Sequence, residues 1–135
     1  MNTYVHLVYK VVKNFPKEEL YASTSQLKRS SLSVVLNYIE GFARNQILVR
    51  LNFLRISYGS LMESEYLLKF SLDEKYITIN EYNNLKSLSE NMDNFLIKIK
   101  STLNSILNDS NYSIEFLEKK IEEEKRLLEI LKDKP

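Results

Sequence analysis

Apolar residues recur along this chain at helical rather than strand spacing. Tyr4, Val8, Val11, Val12 and Phe15 share one face of a segment running from Thr3 to Asn14. Pro16 ends that segment, because the residue before a proline is pushed out of the helical region. A second helix is expected from Ser23, with Ser23 and Gln26 at capping-box spacing, to about Arg44. Its apolar face is expected to hold Leu27, Val34, Tyr38, Ile39 and Phe42. A third runs from about Gln46 to Leu72. Ile47, Leu51, Leu54, Tyr58, Leu61, Leu68 and Leu72 form a seven-residue repeat interrupted only at Glu65, with a second row at Phe53, Ile56, Leu67 and Phe70. Two rows on one helix point to a subunit interface.

A fourth helix is expected from a Thr78–Glu81 capping box, with Leu85, Leu88, Met92, Phe95, Leu96, Ile99, Leu103 and Ile106 on its buried face. Asp109-Ser110-Asn111 reads as a polar break. Beyond it, Ile114, Leu117, Ile121, Leu128 and Leu131 keep a heptad with Glu124 at its weak position, opposite a face dense in Glu and Lys. The expected fold is all-α: an antiparallel up-and-down four-helix bundle over residues 1–108. Residues 109–135 add a C-terminal amphipathic helix that packs on the bundle or on a neighbouring subunit.

Composition supports this architecture and narrows the chemistry. Two glycines and two prolines in 135 residues are too few for the many tight turns of a sandwich or barrel. Without cysteine there is no disulfide, thiolate metal site or thiol nucleophile. No apolar run reaches a membrane span, and no export signal is evident, so a cytoplasmic location away from membranes is expected. Residues 1–60 hold eight Lys/Arg against three Asp/Glu, a balance of +5. Residues 61–135 hold eleven against fifteen, a balance of −4. The basic half suits an acidic partner such as RNA, or it is neutralised by the other half.

The most unusual feature is a polar stripe. Gln26, Arg29, Ser33, Asn37, Glu40 and Arg44 are spaced three or four apart and lie on one face of the second helix. The third helix offers small residues, Ser57, Gly59, Ser60 and Ser64, with Glu63 one turn beyond Gly59. Close packing would gather Asn37, Glu40, Arg44, Ser60 and Glu63 into a shared network that fixes helix register or subunit contact, or that forms a functional site. No catalytic residue, metal ligand or cofactor is assigned. His6 is the only histidine and has no Glu three residues before it, and neither glycine belongs to a phosphate-binding loop. The candidate nucleic-acid contacts are Lys10, Lys13, Lys17, Lys28, Arg29, Arg44, Arg50 and Arg55, interleaved with Tyr4, Tyr9, Tyr21, Tyr38 and Tyr58.

Three segments carry a family resemblance: Phe15-Pro16-Lys17-Glu18-Glu19, then Gln26-Leu27-Lys28-Arg29, then Ser33 to Arg44 with its Asn37-x-x-Glu40-Gly41 element. They resemble the four-helix-bundle proteins encoded in 23S ribosomal RNA intervening sequences. The likeness continues from Phe53 to Glu63 through Gly59-Ser60-x-x-Glu63 and covers residues 1 to about 108. Tyr38 and Ile39 stand where the family usually has Ile-Ala, Ala43 replaces a common Gly, and Ser57 a common Ala. The resemblance implies a ring, a homopentamer, with no enzymatic activity. It makes Gly41 and Gly59 part of the signature. Related accessory proteins of diversity-generating retroelements bind a reverse transcriptase and nucleic acid. The leading expectation is therefore a non-enzymatic homo-oligomeric bundle that binds RNA or a ribonucleoprotein. The alternatives are a protein-interaction scaffold, such as an accessory subunit of a retroelement reverse transcriptase, and a small-molecule binder in the bundle core.

Overall fold

The computed structural model describes residues 1–132, with the side chains of 110–113 left aside. Four α-helices follow one another: α1 (Asn2–Val11), α2 (Ser23–Phe42), α3 (Ile47–Asp73) and α4 (Ile79–Lys132). Two single 3-10 turns, Val12–Asn14 and Lys17–Glu19, flank Pro16 between α1 and α2. No strand occurs among the described residues. The chain divides into two compact units, Met1–Lys100 and Ser101–Pro135.

In the first unit the core is built on heptads that alternate large and small residues. On α3 the buried positions are Leu54, Ser57, Leu61, Ser64, Leu68 and Ser71, spaced three and four apart. On α2 Leu27, Ser30, Val34 and Gly41 are buried at matching intervals. The leucines at 54, 61 and 68 match the expected row. The other half of the row is displaced by one residue: Ser57, Ser64 and Ser71 are buried, whereas Tyr58 is exposed and Glu65 and Leu72 are half-buried.

Serine is tolerated there because each hydroxyl has an acceptor within the helix or across it. Ser64 Oγ donates to the Leu61 carbonyl at 2.9 Å and Ser71 Oγ to that of Leu67 at 2.6 Å. Ser57 Oγ crosses to the Val34 carbonyl of α2 at 2.6 Å. The small side chains let α2 and α3 approach closely. At Gly41 the approach is close: a Cβ there would sit 2.8 Å from the Phe53 Cβ. Gly59 differs, since a Cβ there would meet nothing within 4 Å.

α1 closes one side. Tyr4, Val8 and Val11 are buried, and the Tyr4 hydroxyl lies 2.7 Å from Ser64 Oγ. Burial pushes the Tyr4 phenol far above its ordinary range, so it stays protonated as a hydrogen-bonded core group. α4 contributes Leu85, Ser89, Met92 and Leu96 to the core. The Phe95 ring meets Tyr38 of α2 edge-on, with centroids 5.3 Å apart.

The helix ends explain the turns. The Thr78–Glu81 capping box forms: Thr78 N–H donates to Glu81 Oε1 at 2.9 Å, and Glu81 N–H to Thr78 Oγ1 at 3.1 Å. The Ser23–Gln26 box does not form. Glu19 intervenes, accepting from Ser23 N–H at 3.2 Å and from Ser23 Oγ at 2.6 Å. α3 ends without glycine. Tyr76 N–H reaches the Ser71 carbonyl at 2.8 Å and Lys75 N–H that of Leu72 at 3.0 Å, which places Lys75 in the left-handed region at φ 63°.

Two further expectations are corrected. Ile39 and Phe42 are not core residues of α2; they are 56% and 71% exposed. Asp109-Ser110-Asn111 does not end a helix, and α4 continues through it. Polar residues in a helix interior weaken propensity by only a few tenths of a kcal/mol each, roughly, and no proline or glycine reinforces them. In the second unit the described side chains from Ile114 to Lys132 are all exposed in the single chain.

Candidate functional site

The polar stripe of α2 is real as a face, and it is resolved into three separate groups. Arg29 of α2 pairs with Glu63 of α3, both partly exposed. One turn on, Asn37 Nδ2 donates to Ser33 Oγ at 2.8 Å and to the Ser33 carbonyl at 2.9 Å, while Ser33 Oγ lies 2.9 Å from Ser60 Oγ of α3. At the end of the helix Glu40 pairs with Arg44 along α2 alone. Gln26 is exposed at the start. The expected single network of Asn37, Glu40, Arg44, Ser60 and Glu63 is therefore divided. Asn37 and Ser60 are joined through Ser33, Glu63 turns to Arg29, and Glu40 with Arg44 stands apart. Exposed pairs of this kind contribute about 0–1 kcal/mol each, and of the two only Arg29–Glu63 links α2 to α3.

The Phe15-Pro16-Lys17-Glu18-Glu19 segment has a physical role the sequence did not announce. Phe15 is buried, and its ring lies 5.3 Å from that of Tyr76. The Tyr76 hydroxyl donates to Glu19 Oε1 at 3.2 Å. The segment thus ties the start of α2 to the turn between α3 and α4. Hydrogen bonds from the Ser23 side chain and then its backbone hold the Glu19 carboxyl below the ordinary glutamate range.

The basic residues fall into two groups rather than one patch. Lys10, Lys13 and Lys17 lie around the end of α1, and Lys28 sits over the Tyr9 ring at 5.2 Å. Arg44, Arg50 and Arg55 lie around the α2–α3 connection. There Arg44 stands over Phe53 at 5.5 Å, Arg50 stands over the exposed Phe42 at 5.9 Å and also donates to the Arg44 carbonyl, and Arg55 donates to Asn52 Oδ1 at 2.8 Å. From Lys28 to Phe42 the groups are separated by roughly 21 Å along α2. Arg29 lies between them, engaged with Glu63.

An open cleft of about 470 Å³ is lined by Met1, Thr3, Tyr4, Tyr38, Leu88, Asn91, Met92 and Phe95. Its lining carries no charged side chain to orient a ligand. No cluster of three or more potential metal ligands occurs among the described residues, and no described helix is long and apolar enough to cross a membrane.

The feature missed in the sequence is a second apolar row on α2. Leu32, Leu36 and Ile39, spaced four and three apart, are 37%, 54% and 56% exposed, with Phe42 beside them. Tyr38, Ile39 and Phe42, which the spacing puts together on the face opposite the polar stripe, differ in their surroundings. Only Tyr38 turns partly inward, to Phe95. A count of apolar neighbours at three- and four-residue spacing would have found the row.

These elements define an all-helical bundle protein. A family model described as 23S rRNA-intervening sequence protein matches residues 2–98. The chain belongs to that family. Among solved structures it is similar to a protein of unknown function from the S23 ribosomal protein family of Bacteroides thetaiotaomicron. The identity is 25%, the alignment covers 71% of this chain and 87% of the other, and the TM-score is 0.63. No curated protein matches the chain.

Proposed function

We propose that this protein acts as a non-enzymatic, self-assembling helical bundle, a pentameric ring in its full form, that engages structured RNA or a ribonucleoprotein. The observation that carries the reading is the second apolar row of α2. Leu32, Leu36 and Ile39 present a stripe that the chain's own core leaves to solvent, and a contiguous apolar stripe on a soluble helix marks a contact surface. The polar stripe beside it supports a structural role: Arg29, Ser33, Asn37, Glu40 and Arg44 all engage protein groups.

RNA is supported by the arginines around the α2–α3 connection. Guanidinium groups beside aromatic rings offer both phosphate contacts and stacking surfaces, the combination that single-stranded and looped RNA uses. The family description, which concerns intervening sequences of 23S rRNA, supports the same partner class.

Two measurements test the reading. Light scattering is expected to give a particle several times the 16.0 kDa chain mass, and Leu36→Lys with Ile39→Lys is expected to reduce it. A particle of 16.0 kDa for the unmodified chain would remove the assembly. Fluorescence anisotropy with a structured 23S rRNA fragment is expected to show binding that weakens steeply with salt, as counterion release requires. Arg50→Ala with Arg55→Ala should weaken it at every salt concentration. Absence of binding at low salt would overturn the RNA component and leave the assembly untouched.

A further inference from the structure

The helix beyond Ile114 keeps a heptad that nothing in the described chain covers. Ile114, Ile121 and Leu128 occupy one core position of the repeat, and Leu117 and Leu131 the other; all five are more than half exposed. Glu124 takes the remaining core position and is exposed as well. The stretch from Ile114 to Lys132 is about 28 Å of helix at roughly 1.5 Å per residue. It lies outside the 2–98 segment that defines the family, so the family's common properties do not account for it.

The charges beside the seam discriminate between arrangements. Take Ile114, Ile121 and Leu128 as the a positions. Glu118 and Lys125 are then e positions and Lys120 is a g position. In a parallel, in-register pair, Lys120 would face Lys125 of the second copy on both sides, and Glu124 would face its own copy in the core. Like charges at these positions oppose pairing. In an antiparallel pair, a positions meet d positions. Ile114 then lies against Leu131 of the second copy, Leu117 against Leu128, and Glu124 against Ile121. The flanking e positions face each other, so Glu118 falls opposite Lys125 of the second copy, twice by symmetry.

We infer that the helix from Ile114 to Lys132 is a self-association segment that pairs antiparallel with the same segment of a second copy of this chain. Its occupant is a helix of identical sequence, selected by the apolar seam and by the Glu118–Lys125 complementarity. This contact is separate from the α2 row and does not depend on it.

The chain contains no cysteine, which makes disulfide mapping in the full-length protein direct. The variant Leu117→Cys/Leu128→Cys is expected to form a covalent dimer on mild oxidation. Leu117→Cys alone and Leu128→Cys alone should remain uncross-linked, since in the antiparallel pair each cysteine lies about 16 Å of helix from its own copy. Mixing the two single variants should yield the mixed dimer. Adding Glu118→Lys should lower the yield, and Lys125→Glu on top of it should restore it. Efficient cross-linking of either single variant with itself would overturn the antiparallel arrangement. No intermolecular cross-link in the double variant or the mixture would overturn the pairing, including the outcome in which the helix folds onto its own chain. Because the readout is a covalent pair of specified positions, loss of the α2-mediated assembly would not mimic either result.

Discussion

The α2–α3 seam and the tail of α4 are written in the same heptad spacing and reach opposite ends. On α3 large and small residues alternate, Leu54 with Ser57, Leu61 with Ser64, Leu68 with Ser71, and all six are buried. On the tail the corresponding positions are Ile114, Leu117, Ile121, Leu128 and Leu131, without a serine among them, and all are exposed. Spacing alone therefore does not decide what a helix covers. Small residues at alternate positions let a neighbouring backbone come close enough to close the seam within one chain. A seam of large residues keeps its partner at coiled-coil distance.

The largest expected effect separates the two seams. Leu61 is fully buried, so Leu61→Ala removes well-packed methyl groups and leaves a cavity; it should cost about 2–5 kcal/mol of bundle stability. Ile121→Ala, at a position 52% exposed, should leave the midpoint of the bundle's thermal unfolding where it was. Equal loss from both variants, followed by circular dichroism, would erase the distinction between a closed and an open seam.

The next effect tests the serine half of the closed seam. Ser64 Oγ satisfies the buried Tyr4 hydroxyl while donating to the Leu61 carbonyl. Ser64→Ala leaves that phenol without its partner in a site that excludes water. The expected cost is about 1–3 kcal/mol, and Tyr4→Phe in the same chain should recover part of it. If Ser64→Ala is silent, the serines are mere spacers and the contrast reduces to side-chain size.

How much of this was legible follows from the same residues. The places of α1, α2, α3 and the start of α4, the Thr78–Glu81 cap and the leucines at 54, 61 and 68 could be read, because apolar periodicity and capping chemistry are local signals; that α4 runs on through Asp109-Ser110-Asn111 could not. The family signature was legible too, and its Asn37 and Gly41 sit on the α2–α3 contact. The other half of the α3 seam was misplaced by one residue. The apolar pattern favours Tyr58 and Leu72 over Ser57 and Ser71 and so carries the row through Glu65 rather than Ser64, yet a serine that returns its hydroxyl to a carbonyl one turn back behaves as a small core residue. Ser57, which stands where the family commonly has Ala, shows the same point, since its hydroxyl spans to the Val34 carbonyl. The Ser23–Gln26 cap was misread because Glu19, outside the helix, competes for Ser23. The division of the polar stripe was not legible, because partner choice between Arg29, Glu40 and Arg44 depends on the register of α3, which no local spacing encodes.

A smaller effect lies where α3 ends. Lys75 adopts a positive φ that closes the helix, with the Phe70 and Tyr76 rings 6.3 Å apart across the turn. A side chain in this conformation is costly and glycine is not penalised in the same way. Lys75→Gly should stabilise the bundle by about 0.5–1 kcal/mol, measured by urea unfolding. The tail offers no equivalent gain, since no described residue there has a positive φ. A destabilising Lys75→Gly would mean that the lysine side chain, rather than the backbone, holds the turn.

The finest test compares two glutamates, Glu65 beside the closed seam of α3 and Glu124 in the open seam of the tail. Glu65 on α3 is half-buried, and its carboxyl is pushed above the ordinary glutamate value of 4.5; burial is the main cause, with Asp93 and Glu90 adding to it and Ser89 and Lys86 opposing it. A raised folded pKa means the protonated form is favoured by folding. Glu65 thus contributes stability fully below pH 4.5, and that contribution is lost as pH rises through its raised folded value. Glu65→Gln should therefore stabilise the bundle at neutral pH, and its advantage should vanish in acid. Glu19 has the opposite sign. Its lowered carboxyl pKa stabilises above the ordinary value and is lost as pH falls through the folded one, so Glu19→Gln should destabilise at neutral pH and converge with the parent in acid. Glu124 interrupts the tail's row but is exposed, so Glu124→Gln should leave the bundle's melting curve unchanged. A stabilisation by Glu124→Gln as large as that by Glu65→Gln would show that the tail's seam is closed after all, and the measurement repeated on the cross-linked Leu117→Cys/Leu128→Cys dimer would show whether a second copy closes it.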